Sequence, residues 1–283
     1  MSYILGITYG HEPAVALIET TSGQIVAALE ESKISRNKRE RSFPLKALDL
    51  IISNYCCDKK SIVSCHYSYY GEEDYYMFYR RYLNLRPQTT KNSISNVIRQ
   101  LLLEKGIDIP VIKEEHHLCH SYAAYFYSGY NKNCSVITCD GYGDNLSATI
   151  SIPDLETRKL QRFEQFCYGI ESSMGLFFQS ITYALGLIPL QDEWKLLGLE
   201  PQGNYHNAIE IFKGLWIETD GLPCINRELI SHYTIDTNIV NQLKSYFDHC
   251  VYRYNASDVA AAAQYYLEYY ILKWLNLYHE KTN

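Results

Sequence analysis

The residues best suited to chemistry are three histidines that lie within five positions near the middle of the chain. His116 and His120 are four residues apart, so on a helix they share one face and can point at one ion. Neutral imidazole is the commonest metal ligand in proteins, and a carboxylate from elsewhere usually completes such a site. Asp140 is the candidate carboxylate, because it lies where an apolar strand, predicted from Ser135 to Cys139, gives way to a glycine-rich turn. The spacing therefore predicts a divalent-metal site made of His116, His120 and Asp140.

A helical histidine pair also has a simpler interpretation, since many such pairs are hydrogen-bonded groups that hold no metal. The Asp-Gly-Tyr-Gly-Asp sequence that begins at Asp140 follows a predicted strand and favours ligation here. His117 lies between the two in sequence and faces another side of the predicted helix. For His117, contact with substrate and a purely structural role are both open.

The combination of His-His-x-x-His with Asp-Gly-x-Gly-Asp about twenty residues later resembles the NodU/CmcH carbamoyltransferase family. The resemblance extends from Tyr3 to the C-terminus. It implies an α/β fold of the actin-like ATPase superfamily (ribonuclease H-like), similar to the tRNA-threonylcarbamoylation protein, with a mixed sheet flanked by helices. It also implies that residues 1–220 form a first lobe with insertions and that residues 221–283 begin a second, truncated lobe.

The activity that this resemblance implies is that of an O-carbamoyltransferase. Such an enzyme moves a carbamoyl group from carbamoyl phosphate, through a carbamoyl-adenylate made with ATP, to a hydroxyl of a small-molecule, sugar or nucleotide acceptor. ATP and carbamoyl phosphate are then the co-substrates. The implied metal is divalent, with iron as the first choice and zinc as the second, and it would polarise and orient the carbamoyl-adenylate.

Two segments near the N-terminus resemble further family motifs. The segment Gly6–Leu17 resembles the opening pattern of the family and implies that His11 is a catalytic group. The segment Glu30–Lys38 resembles a cationic family motif, which implies a catalytic role for Lys38 and a substrate-binding role for Arg36. Fixed cations suit this role because they stabilise phosphoryl oxygens. Without the resemblance, the crowded basic residues of this stretch favour a solvated loop.

A third segment, Asp192–Leu199, is similar to the family motif Glu-Gly-Lys-x-Met-Gly-Leu-Ala and implies substrate binding by Glu193 and Lys195. Two residues depart from that motif. Trp194 replaces the usual glycine and Glu200 replaces an alanine, which puts bulk and charge near a loop expected to contact substrate.

The elements that must position these residues follow from apolar periodicity and turn residues. Three strands joined by short turns are predicted to open the chain as an antiparallel meander, at 3–8, 14–19 and 25–30. A tyrosine-rich stretch at 69–82 is interpreted as packing, and the strand at 135–140 is expected to pair with the strand at 109–112. The other predicted elements are strands at 62–67, 146–152 and 160–167 and helices at 45–54, 93–105 and 171–185. Beyond Leu222 a helical hairpin is predicted that ends in the segment 256–265, with Ser257 as the cap of its last helix.

Composition limits the function classes. The 283-residue chain has a net charge of −6 and a pI of about 5.9, so nucleic acid and anionic membrane are not expected as partners. No apolar run has the length of a membrane span, and the N-terminus lacks the features of a signal peptide. The nine cysteines are odd in number and form no C-x-x-C, which favours reduced thiols in a cytoplasmic protein.

The resemblance also implies parts that do not occur before Asn283. These are a Gly-Gly-x-x-Leu-Asn phosphate loop, a further metal-binding aspartate and a long C-terminal domain that makes carbamoyl-adenylate. Either the chain is a piece of a longer protein, or it works with a separate chain that carries this C-terminal half, and in both cases the catalytic hypothesis expects activity when that half is present. The alternative is a non-catalytic or split-enzyme subunit, and a tRNA-threonylcarbamoylation component is a third hypothesis that the acidic pI disfavours.

Overall fold

The computed structural model describes residues 1–38, 40–55, 58–68, 83, 93–130, 134–219 and 222–282. The chain forms two compact units, Met1–His120 and Ser121–Asn283. The predicted lobe boundary at residue 220 stays a prediction, and the tyrosine-rich stretch at 69–82 lies outside the described residues.

The first unit is built on a five-stranded mixed sheet in the order β4–β3–β1–β6–β7. Strands β1, β3 and β4 form the antiparallel meander that the sequence predicts, and β6 and β7 continue the sheet in parallel with β1. The short strands β2 and β5 pair with each other. The strands are β1 (Tyr3–Thr8), β2 (Gly10–His11), β3 (Ala14–Glu19), β4 (Ile25–Glu30), β5 (Arg41–Ser42), β6 (Ile62–Ser68) and β7 (Val111–Lys113).

The core of the first unit lies on one face of this sheet. Alternate residues of the strands, such as Leu5 and Ile7 of β1, are buried there, as the period of two requires. Helices α2 (Leu45–Tyr55) and α3 (Ile94–Glu104) bury their apolar residues in the same cluster. Both helices confirm the sequence prediction to within one residue at each end.

A buried carboxylate joins the meander to α2. Glu31 begins the short helix α1 (Glu31–Ser35) and is only 3% exposed. Its two carboxylate oxygens accept the backbone N–H groups of Lys46 (3.2 Å) and Ala47 (2.8 Å) in the first turn of α2. These N–H groups have no partner within their own helix, so Glu31 satisfies them and complements the helix dipole.

The second unit contains an antiparallel sheet in which β8 and β10 and β11 all pair with β9. The expected pairing of residues 135–140 with residues 109–112 is therefore wrong. The two-residue turn Asp144–Asn145 has positive φ at both positions, which suits a tight hairpin, so the local pairing of β8 with β9 prevails. The strands are β8 (Val136–Gly143), β9 (Leu146–Pro153), β10 (Leu160–Arg162) and β11 (Tyr168–Gly169), with a further hairpin of β12 (Trp216–Thr219) and β13 (Leu222–Ile225).

The helices of the second unit pack around a large aromatic and aliphatic cluster. Ala260, Ala262 and Ala263 are buried in it, and their small side chains allow neighbouring helices to approach closely. The cap of the last helix is Asn255, whose side chain accepts the N–H of Ser257, so the prediction of Ser257 as the cap is wrong. The helices are α4 (His116–Ser128, which begins in the first unit), α5 (Met174–Ala184), α6 (Glu193–Leu199), α7 (Tyr205–Ala208), α8 (Arg227–Ser231), α9 (Ile239–Cys250) and α10 (Ala256–Thr282).

The α/β class with a mixed sheet and flanking helices is confirmed. Among the described residues, none of the helices combines the length and the apolarity that a membrane span requires.

Candidate metal centre

The histidine pair lies in the first turns of α4. Glu115 precedes the helix, and its carboxylate accepts the backbone N–H groups of His117 (3.0 Å) and Leu118 (2.7 Å). This cap fixes the start of the helix at His116. Because the helix begins there, the spacing of four residues places His116 and His120 one turn apart on the same face, as predicted.

The two imidazoles converge on one volume. The Nε2 atoms of His116 and His120 lie 3.0 Å apart, and the ring centroids are 4.6 Å apart with an interplanar angle of 83°. Two nitrogens bound tetrahedrally to one zinc ion would lie about 3.3 Å apart. A small side-chain rotation therefore converts the observed arrangement into a bidentate site. The same distance also fits one N–H···N hydrogen bond, so a proton and a metal would compete for this position.

His117 is fully buried, in contrast to exposed His120. Its ring contacts that of His116 edge to face at a centroid distance of 5.4 Å. Burial favours the structural role that the sequence left open for His117.

Asp140 lies inside β8, so the prediction that it begins a glycine-rich turn is wrong. The strand continues to Gly143, and the pairing with β9 shifts register between Cys139 and Gly143. Such a bulge re-aims the side chains of the strand that carries it. Oδ1 of Asp140 accepts the N–H of Gly141 at 2.6 Å, which orients the carboxylate.

The N-terminus of α5 supports the backbone beside Asp140. Ser173 caps α5 by accepting the N–H of Leu176 at 3.0 Å, and its hydroxyl donates to the carbonyl of Gly141 at 2.5 Å. A Cβ at Gly175 would lie 2.6 Å from Cα of Gly141 and 3.0 Å from the carbonyl oxygen of Asp140. Only glycine permits this approach. The capping serine and Gly175 thus both contact the β8 backbone.

His116 and His120 fall in the first unit and Asp140 in the second. The structure brings the two histidines together, and the three-residue centre stays a prediction.

His11, Arg36 and Lys38 belong to the first unit. His11 lies on β2 in register with Arg41, and its side chain is 35% exposed. Arg36 ends α1 in a left-handed conformation with φ of 61°. Both Arg36 and Lys38 are exposed, and no ion pair holds either of them among the residues described. Their charges are accessible to an anion, and their predicted roles are not tested by this arrangement.

Glu193 and Lys195 lie at the start of α6 and are engaged locally. Oε1 of Glu193 accepts the N–H of Leu190 at 2.6 Å, and Nζ of Lys195 lies 2.9 Å from Oδ1 of the buried Asp192. Trp194, between them in sequence, is 64% exposed. Substrate binding by Glu193 and Lys195 stays a prediction.

Comparison with known proteins adds a family. The model of the family described as "Carbamoyltransferase N-terminus" matches residues 3–283. A Synechocystis sp. protein is 28% identical over 265 residues, which cover 83% of this chain and 40% of that protein. The nodulation protein NolNO of Sinorhizobium fredii is 26% identical over 204 residues, which cover 70% of this chain and 28% of that protein. The chain thus spans 40% or less of the length of these curated relatives.

Two solved structures show weaker similarity. YeaZ from Pseudomonas aeruginosa has a TM-score of 0.33 and 12% identity, with 58% of this chain and 64% of that chain covered. The Lmo2764 protein from Listeria monocytogenes has a TM-score of 0.34 and 11% identity, with 69% of each chain covered.

Proposed function

Since the chain belongs to the carbamoyltransferase N-terminus family, we propose that it is the N-terminal part of an O-carbamoyltransferase. The reaction transfers a carbamoyl group from carbamoyl phosphate, through carbamoyl-adenylate made with ATP, to a hydroxyl of a small-molecule, sugar or nucleotide acceptor. The observation that carries this proposal is the family match over residues 3–283. The convergent histidine pair also supports it, because it supplies two ligands for the metal that the proposed reaction uses.

The proposed metal ligands are His116, His120 and Asp140, and the proposed ion is iron or zinc. What supports the ligand set is the 3.0 Å separation of the two Nε2 atoms and the placement of Asp140 at a strand bulge. The donor set also suits the chemistry, because two imidazoles and a carboxylate are common ligands of catalytic zinc and non-haem iron. When bound, the ion would act as a Lewis acid on a carbonyl or phosphoryl oxygen.

The proposed roles of the other residues concern charge and protons. Arg36 would bind phosphoryl oxygens of the carbamoyl-adenylate, and Lys38 would stabilise the charge that develops there as AMP departs. His11, when neutral, would take the proton of the acceptor hydroxyl as its oxygen bonds to the carbamoyl carbon. The bond between the carbamoyl carbon and the phosphate oxygen of AMP breaks in the same step, and AMP carries the charge away.

Glu193 and Lys195 are proposed to contact substrate from the start of α6. To do so they would exchange the contacts that they make with Leu190 and Asp192. The proposal for these two residues therefore includes a rearrangement of this loop when substrate binds.

The second candidate function is that of a non-catalytic or split-enzyme subunit, whose partner is a separate chain with the C-terminal half. The observation that favours it is the departure from the family motif at Trp194 and Glu200, which puts bulk and charge near a loop expected to contact substrate. The two candidates differ in one measurable quantity, which is carbamoyl transfer to a hydroxyl acceptor with and without the C-terminal half added.

The first experiment measures metal content after purification without chelator, by elemental mass spectrometry. We expect near-stoichiometric iron or zinc in the wild type and at least about a tenfold loss in each of His116→Ala, His120→Ala and Asp140→Ala, because each removes one ligand. The matched control is His232→Ala, which removes an exposed histidine of the second unit and should leave the metal content unchanged. Equal metal content in all five proteins would refute the proposed site.

A further inference from the structure

A second cluster of reactive groups lies on the sheet of the first unit. Ser64 and His66 are two residues apart on β6, so their side chains project from the same face of the sheet. That face is opposite to the core, where Cys65 and Tyr67 are buried. Glu114 follows β7, the strand that pairs with β6 in register at His66. Sheet pairing therefore brings together three polar side chains that span fifty positions of sequence.

The three side chains form a continuous hydrogen-bonded relay. Oγ of Ser64 lies 3.2 Å from Nε2 of His66, and Nδ1 of His66 lies 2.6 Å from Oε1 of Glu114. A carboxylate on Nδ1 selects the tautomer whose proton is on Nδ1, so Nε2 is left to accept the hydroxyl proton of Ser64. A hydroxyl on Nε2 and a carboxylate on Nδ1 is the geometry by which nucleophilic serine triads are recognised, whatever the order of their residues in the chain.

The relay is partly exposed to solvent. The side chains of His66 and Glu114 are 31% and 35% exposed, so reagents reach them although they are partly desolvated. Gly6 of β1 lies in register with His66 on one side and with Ala16 on the other. Among the residues described, a Cβ at Gly6 would contact only Cβ of Ala16, at 3.9 Å. Because Gly6 has no side chain, the sheet surface beside His66 leaves room for a small acyl group.

Cys65, the thiol between the two residues, is not a competing nucleophile. It points into the core, and burial raises the pKa of its thiol to about 12, so the reactive thiolate is scarce at neutral pH.

We propose that Ser64 is a nucleophile for small activated acyl esters, with His66 as its general base and Glu114 as the residue that orients the imidazole. Oγ of Ser64 attacks the ester carbonyl carbon, and the hydroxyl proton passes to Nε2 of His66. The bond to the leaving alcohol breaks, and that alcohol takes the proton from Nε2. The product is an acyl ester of Ser64, which water cleaves by the same proton path. This activity does not depend on the proposed metal site.

The test uses a fluorophosphonate probe, which phosphonylates activated serines with loss of fluoride, on the purified full chain. Intact-mass measurement over time gives the rate of modification, and peptide mapping gives the modified residue. We expect one adduct, on Ser64, in the wild type and none in Ser64→Ala. General-base catalysis contributes roughly a hundredfold or more, so His66→Gln should slow the modification by about that factor. Glu114→Gln should slow it by more than about tenfold, because the imidazole loses its orientation.

The matched control is Ser68→Ala. Ser68 lies on the same strand and face, two residues beyond His66, but makes no hydrogen bond to that histidine among the described contacts. Modification should proceed in this variant at the wild-type rate. An unmodified wild type, an adduct on another serine, or equal rates in wild type and His66→Gln would each overturn the proposal. In those cases the three side chains are only a polar ladder on the sheet. Circular dichroism of each variant confirms that it is folded, and the wild-type result alone is already decisive.

Discussion

Replacing Gly175 by alanine should destabilise the protein, although alanine is the better helix former. The added methyl carbon would lie 2.6 Å from Cα and 2.7 Å from the nitrogen of Gly141, and 3.0 Å from the carbonyl oxygen of Asp140. All three atoms belong to the backbone, so no side-chain rotation relieves the clash. Carbon atoms pack at about 3.5–4.0 Å, so α5 and β8 must separate by about 1 Å.

The magnitude follows from three contributions. Overpacking of this kind costs about 1–3 kcal/mol. The bond from Ser173 to the carbonyl of Gly141, now 2.5 Å, would stretch by the same amount and be lost, at a cost of about 1 kcal/mol. The gain in helix propensity from glycine to alanine offsets about 0.5–1 kcal/mol. We therefore expect a net loss of about 1–3 kcal/mol in the free energy of unfolding.

The assay is urea denaturation of the wild type and of two alanine variants. The control is Gly198→Ala on α6, because a Cβ at Gly198 meets no atom of the described residues within 4 Å. This variant keeps only the propensity gain and should be neutral or more stable by up to about 1 kcal/mol. The two substitutions are chemically identical, but only Gly175→Ala should lower the free energy of unfolding. A Gly175→Ala protein as stable as Gly198→Ala would refute the close approach of α5 to β8.

Two further predictions concern carboxylates that cap backbone N–H groups. Glu31→Gln should lower the free energy of unfolding by about 1–2 kcal/mol, as measured by urea denaturation. The buried carboxylate accepts hydrogen bonds from two N–H groups of α2, one on each oxygen, and the amide that replaces it has only one oxygen. An unchanged midpoint of urea denaturation would contradict this prediction. The carboxylate of Asp258 accepts hydrogen bonds from the backbone N–H of Asn204 and from the side-chain amide of Asn207. These bonds stabilise the charged form and lower the pKa of Asp258 below the ordinary 3.8. Because the folded pKa is the lower one, its stabilising effect is present above pH 3.8 and is lost as the pH falls through the folded value. The difference in Tm between wild type and Asp258→Asn should thus be largest near neutral pH and shrink below pH 3.8; a constant difference would contradict it.

The parts of the fold that the sequence predicts well are those set by neighbours in the chain. The meander of β1, β3 and β4 follows from short apolar runs separated by turn residues such as Gly10 and Gly23. The convergence of His116 and His120 follows from their spacing on one helix. Each of these depends only on local periodicity, which a single sequence displays.

The parts that the sequence did not predict depend on contacts between distant segments. The role of Gly175 depends on the approach of α5 to Gly141, more than thirty positions earlier. Ser64 and His66 are visible as a pair at strand spacing, but Glu114 joins them only through the pairing of β6 with β7. The pairing of β8 with β9 depends on the turn at Asp144 and Asn145, and these residue types tolerate the positive φ that the turn requires without announcing it as glycine would.

The hairpin of β8 and β9 also has a consequence for the order in which the molecule assembles. Its eight-residue strands are joined by a two-residue turn, so its contacts are short in sequence and close at little entropic cost. Hairpins of this kind form in roughly 1–10 μs, well before segments distant in the chain meet. We therefore expect the bulge that carries Asp140 to form with the hairpin, before α5 packs against it. On this expectation the local sequence orients the Asp140 carboxylate early in folding, and Gly175 matters only when α5 reaches the β8 backbone.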